Sequence, residues 1–294
     1  MKKISCLLTL IVLTLLVAGC KNNEPKDLAK FEKHLDQTQQ KEAKMKQTLN
    51  HLDLKQIDQL KEQQMTDKNK KEFNELQTDI NSKLMPQMKA YEKSAKKLPA
   101  ESSKVKHLKQ TYLQGVKQKK QKVKDLKTFV DLCNQSVKAN EDILDYTKLF
   151  EKKRSLMEEN VDKANKHGNK QDVETFTKKV ENNNKELKNT AENHINDQNP
   201  KKRKKAIEEH IMPLIDKQIK DLNQTTITDS NVNEARKNAI EMYYSLQNYY
   251  ETRQDTMGIT QRLAKIDLQN LPKKGEDLEN DDKAFDKELN QLKS

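Results

Sequence analysis

The chain has 294 residues and a formal net charge of +11, and 35% of its residues are charged while only 33% are apolar. Globular α/β enzymes and lobed solute receptors need a larger core, because ordinary domains contain roughly 45–50% apolar residues. Long helical bundles need less, since each helix buries only a narrow apolar stripe. The composition therefore argues against those two classes and favours an all-α protein.

The first twenty residues have the layout of a secretion signal. A basic start is followed by the apolar run Ile4–Val17 and then by the small residues that lead into Cys20. The apolar run is too short to span a bilayer, which needs roughly 20 residues. We predict that residues 1–19 are removed and that the Cys20 thiol carries a diacylglyceryl lipid. The anchor predicts a location on the outer face of the cell membrane, with residues 20–27 as a polar tether.

From Leu28 onwards, apolar residues recur at intervals of three and four, which is typical of helices with a narrow buried face. We predict a first helical unit over residues 28–165 and a second over residues 170–265. The predicted fold is all-α, an elongated helical bundle. A linker and an acidic amphipathic tail follow over residues 266–294.

Within the first unit, three helices are expected. The first runs from Leu28 past Leu60, and the second kinks at Pro86, because an interior proline loses a hydrogen bond and clashes with the preceding turn. The third is a long helix over 105–161, with Ser102 or Ser103 as its cap.

Three further helices are expected in the second unit. They cover residues 173–195, residues 207–222 with Pro213 inside, and residues 232–257 with Ser230 as the cap. Several residues of the first unit recur in the second at a constant spacing of 127 positions. We therefore hypothesise two tandem three-helix units related by an internal repeat. The matching positions are Ile80, Leu84-Met85-Pro86, Ser103 and Val105 against Ile207, Ile211-Met212-Pro213, Ser230 and Val232.

The tail combines a run of acids with apolar residues at helical spacing, including Leu278 and Phe285. One interpretation is a frayed amphipathic tail. The other is a short helix that docks on the lysine-rich body through charge and a few apolar contacts.

No catalytic constellation occurs in the sequence. The histidines lack zinc-site spacing, and nucleophile-elbow, P-loop and dinucleotide-binding motifs are absent. We therefore expect no catalytic residue, no metal site, no cofactor and no enzymatic activity. Cys133 shares a helical seam with Val130 and Val137, which favours a buried core thiol. Nucleic acid is not an expected partner, because no platform of interleaved aromatic and basic residues appears.

The stretch from Glu241 to Tyr250 stands out, because it holds four of the seven tyrosines: Tyr243, Tyr244, Tyr249 and Tyr250. One interpretation is a core seam whose hydroxyls reach the edge of the bundle. The other is an aromatic surface that binds a sugar polymer or a partner helix.

The signal ending in Cys20, the lysine-rich helical body and the Glu241-Met242-Tyr243-Tyr244 run together resemble the EMYY-motif lipoproteins of staphylococcus-type Gram-positive bacteria. The helical layout is also similar to a lipoprotein family of bacilli named for cell-wall binding. The resemblance implies a Gram-positive surface location and a membrane attachment through the lipid on Cys20. It implies no activity and no catalytic residue.

Two functions remain open from the sequence. The first is a non-catalytic spacer or binding module whose lysines contact an anionic cell-wall polymer, such as a wall teichoic acid. The alternative is an adaptor that docks a membrane or cell-wall-synthesis protein through the tyrosine-rich helix or the C-terminal tail.

Overall fold

The computed structural model describes residues 24–52, 54, 67–195 and 199–294. Within 67–195, side chains are described from residue 70 onward. Cys20, the predicted tether up to residue 23, and Leu60 lie outside the described residues. Over the described residues the secondary structure is helical and contains no strand, which confirms the predicted all-α class.

The helices begin and end close to the predicted breaks. The described helices are α1 (Glu24–His51), α2 (Asp67–Asp79), α3 (Met85–Lys96), α4 (Ser103–His167), α5 (Lys170–His194), α6 (Pro200–Ala206), α7 (Met212–Gln224), α8 (Ser230–Leu263) and α9 (Lys283–Lys293). Helix α1 ends at His51, so the predicted continuous run past Leu60 is wrong. Helix α4 is continuous through Gly115, as the long apolar seam predicted.

The chain divides into two compact units, which comprise the described residues of 1–64, 74–128 and 268–294, and those of 65–73 and 129–267. The division falls inside α4 rather than at the helix break near residue 168 on which the predicted boundaries 28–165 and 170–265 were based. The C-terminal tail belongs to the first unit. Helix breaks are local features, whereas the units are defined by contacts between distant segments.

Two of the interior prolines are preceded by a wide helical turn. The π-helical turn Ile80–Leu84 leads into Pro86, and Ile207–Ile211 leads into Pro213. A proline ring clashes with the carbonyl four residues earlier in a regular helix, and a π turn moves that carbonyl away. The kink predicted near Pro86 is therefore a π-helical turn.

Caps fix the starts of the helices. Ser102 is the cap of α4, because its hydroxyl oxygen accepts from the backbone N–H of Val105 at 3.4 Å. Helix α8 is capped by Asp229 and not by Ser230, since the Asp229 carboxylate accepts from the N–H groups of Asn231 and Val232 at 2.9 and 3.0 Å.

One carboxylate in each unit, near the start of its own helix, accepts hydrogen bonds from the start of a distant helix. Asp27 accepts from the N–H groups of Glu101 and Ser102 at 2.9 and 2.7 Å. Asp172 accepts from those of Thr228 and Asp229 at 2.7 and 2.8 Å. Each acceptor lies four residues before a buried phenylalanine, Phe31 or Phe176, and the two pairs of donors are 127 residues apart in the sequence.

A basic side chain makes a second matching contact in each unit. Lys109 donates to the Leu98 carbonyl at 2.6 Å, and Arg236 donates to the Thr225 carbonyl at 2.6 Å. Both partners are again 127 residues apart. These shared contacts are what a tandem repeat requires, and the repeat itself stays a prediction.

The C-terminal segment, residues 268–294, is docked on the first unit rather than frayed. Leu278 and Phe285 are fully or almost fully buried. The Phe285 ring lies against Phe31 and Tyr112, with ring centroids 6.4 and 4.7 Å apart. Of the two interpretations of the tail, the structure has the docked helix.

Charge contacts accompany this docking. The Lys119 side chain is fully buried and donates to Glu42 at 2.5 Å and to Asp282, while Lys122 pairs with Asp281 at 2.9 Å. Burial raises the pKa of Glu42, but Lys119 and Lys46 together outweigh burial, and the pKa is lowered. Burial and the neighbouring Glu42 raise the pKa of Asp282. The acidic run of the tail thus docks on lysines of α4.

Cys133 lies in the second unit, where its side chain is 5% exposed. Burial raises the pKa of its thiol to about 12. The interpretation of Cys133 as a buried core thiol is therefore confirmed, and the group is held in its unreactive protonated form.

Candidate functional site

The tyrosine-rich stretch forms the middle of α8, and its first half belongs to the core of the second unit. Met242 and Tyr243 are almost completely buried among side chains of α5, α7 and α8. The Tyr243 hydroxyl donates to the side-chain carbonyl of Asn184 on α5 at 2.8 Å, and burial raises the pKa of Tyr243. Tyr243 is therefore a core residue with a satisfied polar end, as one of the two interpretations expected.

The flanking residues of this stretch face outward. Glu241 forms an ion pair with Lys153 on α4 within the same unit. Tyr244 is 49% exposed, which is high for an aromatic side chain. The Glu-Met-Tyr-Tyr run thus joins α8 to α4 and α5 through three of its residues and presents the fourth to solvent.

Tyr249 and Tyr250 lie together at the edge of the unit. Their rings meet edge to face with centroids 5.2 Å apart, and both side chains are partly buried. They line a groove of about 360 Å³ formed by α5, α6 and α8, whose apolar wall includes Ile195, Ile207 and Met257. Two of the four predicted tyrosines are therefore brought to one site, and Tyr243 and Tyr244 are not part of it.

Two arginines complete this groove. Arg253 lies over the Tyr249 ring with its guanidinium carbon 5.3 Å from the ring centroid, and its Nε donates to the Tyr249 hydroxyl at 3.1 Å. Arg203, from α6, lines the same groove, and its buried Nε has no hydrogen-bond partner among the described residues. A buried guanidinium nitrogen without an acceptor is costly.

A second groove of about 480 Å³ lies beside the first. Lys204 and Arg262 contribute to its lining, and so do the acids Asp142 and Asp255. Because Arg203 and Lys204 are adjacent residues of α6, this helix supplies a basic side chain to each groove. Both grooves therefore have a mixed lining, since Glu192 lines the first.

Sequence reasoning missed Arg203 and Arg253. The available signals were the basic run of residues 201–205 directly after Pro200, and the position of four of the five arginines within residues 203–262. Neither signal shows by itself that α6 and the end of α8 meet beside Tyr249. That proximity depends on the packing of the second unit.

The groove combines stacking surfaces with a guanidinium fork. Tyrosine rings pack against the apolar faces of sugar rings, and guanidinium groups bind phosphate or carboxylate through two parallel hydrogen bonds. Within the described ranges, no group of three or more metal-binding side chains is close enough to hold a metal ion. The groove therefore offers a pair of tyrosine rings and two guanidinium groups beside the carboxylate of Glu192.

Comparisons with known proteins define the chain at the level of a family. The family model described as EMYY-motif containing lipoprotein matches residues 1–293. No curated protein and no solved structure gives a significant match. None of the helices in the described part of the chain is both long enough and apolar enough to traverse a membrane.

Proposed function

Since the chain belongs to the EMYY-motif containing lipoprotein family and is a lipid-anchored surface protein, we propose that it binds an anionic polymer of the cell envelope without catalysing a reaction. The lipid attaches at Cys20 and holds the protein on the outer face of the membrane. The polymer is of the teichoic-acid type, in which phosphodiesters alternate with polyols and sugars.

The proposal rests on one observation, which is the pairing of Arg203 and Arg253 with the Tyr249–Tyr250 rings in a single groove. A phosphodiester oxygen at the unpartnered Arg203 Nε would satisfy a buried donor. A sugar substituent would stack on the tyrosine rings. Both parts of the ligand are needed to use the whole groove.

The basic composition supports the same ligand class. Removal of Lys2 and Lys3 with the signal leaves a mature chain with a formal charge of +9. Such a surface attracts polyanions weakly and in a salt-dependent manner. Specific binding at the groove should therefore persist at an ionic strength at which this diffuse attraction has been screened.

The test uses the mature chain with Cys20→Ser, so that no lipid interferes, and purified wall teichoic acid at physiological salt. Arg253→Gln should weaken binding about tenfold, because a hydrogen bond to a charged group contributes about 1.5–3 kcal/mol. Arg154→Gln is the matched control, since Arg154 is an exposed arginine of the same unit that pairs with glutamates of its own helix.

Equal losses in the two variants would mean that net charge, and not the groove, determines binding. The proposal would also fail if the unsubstituted chain did not bind the polymer at low salt. Circular dichroism of both variants checks that helicity is unchanged.

An adaptor function is the second candidate, and one observation favours it. The second unit exposes several large apolar side chains, namely Tyr244 at 49%, Leu144 at 54% and Leu149 at 39%. The tail is a weaker candidate for docking, because Leu278 and Phe285 are buried against the first unit. Cross-linking on intact cells should capture a membrane or wall-synthesis protein, and Tyr244→Ala should abolish that capture if the adaptor function is correct.

A further inference from the structure

The first unit contains a groove of about 400 Å³ between α1 and α3 that has no role in the fold or in the proposed function. Its rim carries four basic side chains, His34, Lys41, Lys93 and Lys97, and no carboxylate lines it. We propose that this groove is a second binding site, which takes a phosphodiester group through the three lysine ammonium groups.

The spacing of residues along both helices creates this surface. His34, Thr38 and Lys41 lie on one face of α1, because they are four and three residues apart. Residues 90, 93, 94 and 97, which are also three and four positions apart, lie on the corresponding face of α3. Helices α1 and α3 pack against each other in the first unit, so the two polar faces meet along the groove.

The floor of the groove is fixed by a hydrogen bond between the two helices. Thr38 is 1% exposed, and its hydroxyl donates to the His34 carbonyl at 3.0 Å. The Ser94 hydroxyl lies 2.9 Å from the same Thr38 oxygen. Because the Thr38 proton is committed to His34, Ser94 is the donor in this second bond. The helices are therefore held together beneath the basic rim before any ligand arrives.

The rim lysines have no acidic partner among the described residues. Elsewhere in this unit, Lys96 and Lys120 both pair with Glu92 at 2.7 Å. Lys41, Lys93 and Lys97 form no ion pair with any residue that the structure describes. Three unpaired cations around one concavity repel each other, so an anion bound between them relieves the repulsion.

The lining indicates the class of ligand. Ala90 is the only apolar residue of the groove, and no aromatic ring contributes to it. Neither an acyl chain nor a stacked sugar would find a complementary surface there. A lysine ammonium group acts as a point charge, so it can bind phosphate without the planar two-hydrogen-bond geometry of an arginine guanidinium. A phosphodiester with a small polyol is therefore the ligand that the groove fits.

The number of residues between Cys20 and His34 limits how far the groove can lie from the predicted lipid attachment. Helix α1 begins at Glu24, four residues after Cys20, which allows at most about 14 Å of extended chain. His34 lies about 15 Å further along the helix at 1.5 Å per residue. Phosphodiesters at this distance from a membrane come either from anionic lipid headgroups or from a polyol-phosphate polymer, and the experiment separates these sources.

The test compares two double variants of the mature Cys20→Ser chain. Lys41→Gln with Lys93→Gln removes two rim lysines, whereas Lys44→Gln with Lys89→Gln removes two exposed lysines of the same helices that do not line the groove. Binding is measured to soluble poly(glycerol phosphate) and, separately, to vesicles that contain phosphatidylglycerol. Phosphatidylcholine vesicles serve as the uncharged control.

The rim variant should bind one of these two probes about tenfold more weakly than the control variant, since each lysine near an anionic surface contributes substantially to binding. The probe that is affected identifies the source of the phosphodiester. Equal binding by the two variants to both probes would overturn the proposal, because both have lost the same charge. Arg253→Gln should leave this difference unchanged, so the outcome does not depend on the groove in the second unit.

Discussion

Gly115 permits the C-terminal segment to lie directly on α4. A Cβ added at Gly115 would be 2.5 Å from the backbone oxygen of Asp281 and 3.4 Å from its carbonyl carbon. The obstacle is main chain and not the end of a flexible side chain. Gly115→Ala therefore forces the C-terminal segment away from α4 by about 1 Å, since a carbon–oxygen contact is comfortable only near 3.4 Å.

The expected magnitude follows from two opposing effects. Overpacking of this kind costs about 1–3 kcal/mol, while alanine in a helix is favoured over glycine by about 0.5–1 kcal/mol. Gly115→Ala should therefore lower the free energy of unfolding of the first unit by up to about 2 kcal/mol. Gly258 is the matched control, because a Cβ there has no atom within 4 Å. Gly258→Ala should stabilise by about 0.5–1 kcal/mol.

Urea unfolding followed by circular dichroism measures both free energies. Hydrogen exchange localises the effect, and residues 275–293 should exchange faster in Gly115→Ala and at the normal rate in Gly258→Ala. The reasoning is refuted if Gly115→Ala stabilises the protein as much as Gly258→Ala does and leaves exchange in the C-terminal segment unchanged.

Three further predictions concern buried polar groups. Lys119→Met leaves the buried Glu42 and the partly buried Asp282 with Lys46 as their remaining shared cation and should cost about 3 kcal/mol in urea unfolding. Lys117→Met, at an exposed site of the same helix, should cost less than about 0.5 kcal/mol. Asp27 and Asp172 both have lowered pKa values in the fold. For Asp27, backbone hydrogen bonds outweigh the effect of burial. For Asp172, hydrogen bonds from the Thr228 hydroxyl and from nearby N–H groups lower the pKa. The contribution of these carboxylates to stability is present above the ordinary pKa of 3.8 and is lost as the pH falls through the lowered pKa values. Asp→Asn at either position should therefore reduce the free energy of unfolding at neutral pH and make that free energy fall less steeply in acid. Cys133, with a pKa raised to about 12 by burial, should react with a thiol reagent only after unfolding.

Each of these has a contrary outcome. Similar unfolding curves for Lys119→Met and Lys117→Met would mean that the buried ion cluster contributes nothing. If one Asp→Asn variant flattened the acid decline and the other did not, the two carboxylates would not be equivalent and the repeat hypothesis would be weakened. Rapid labelling of Cys133 in the native protein would show that the thiol is accessible.

The family motif illustrates how far a local pattern can be interpreted. Tyr243 and Tyr250 share one face of a helix, and both pack toward the core as one of the two interpretations expected, although only Tyr243 is fully buried. The same spacing could not separate Tyr244, which is exposed, from Tyr249, which lies under Arg253. That difference depends on which helix covers each side of α8.

The amino-acid sequence by itself determined the all-α class and most of the helix breaks, and it predicts a signal that ends at Cys20. These features depend on short-range properties: the three-and-four spacing of apolar residues, the missing N–H and bulky ring of proline, and the order of small residues before a cysteine. Each of these features can therefore be recognised from residues that are close together in the sequence.

Only the tertiary structure decided which charged residues matter. Lys119 looks like any other lysine of α4, and it is distinguished by Glu42 and Asp282, which lie 77 and 163 residues away in the chain. Arg203 and Arg253 likewise acquire a shared groove only when α6 packs beside α8. Burial and electrostatic pairing depend on distances in space, and in a chain whose helices are uniformly rich in lysine and glutamate the local sequence carries almost no information about those distances.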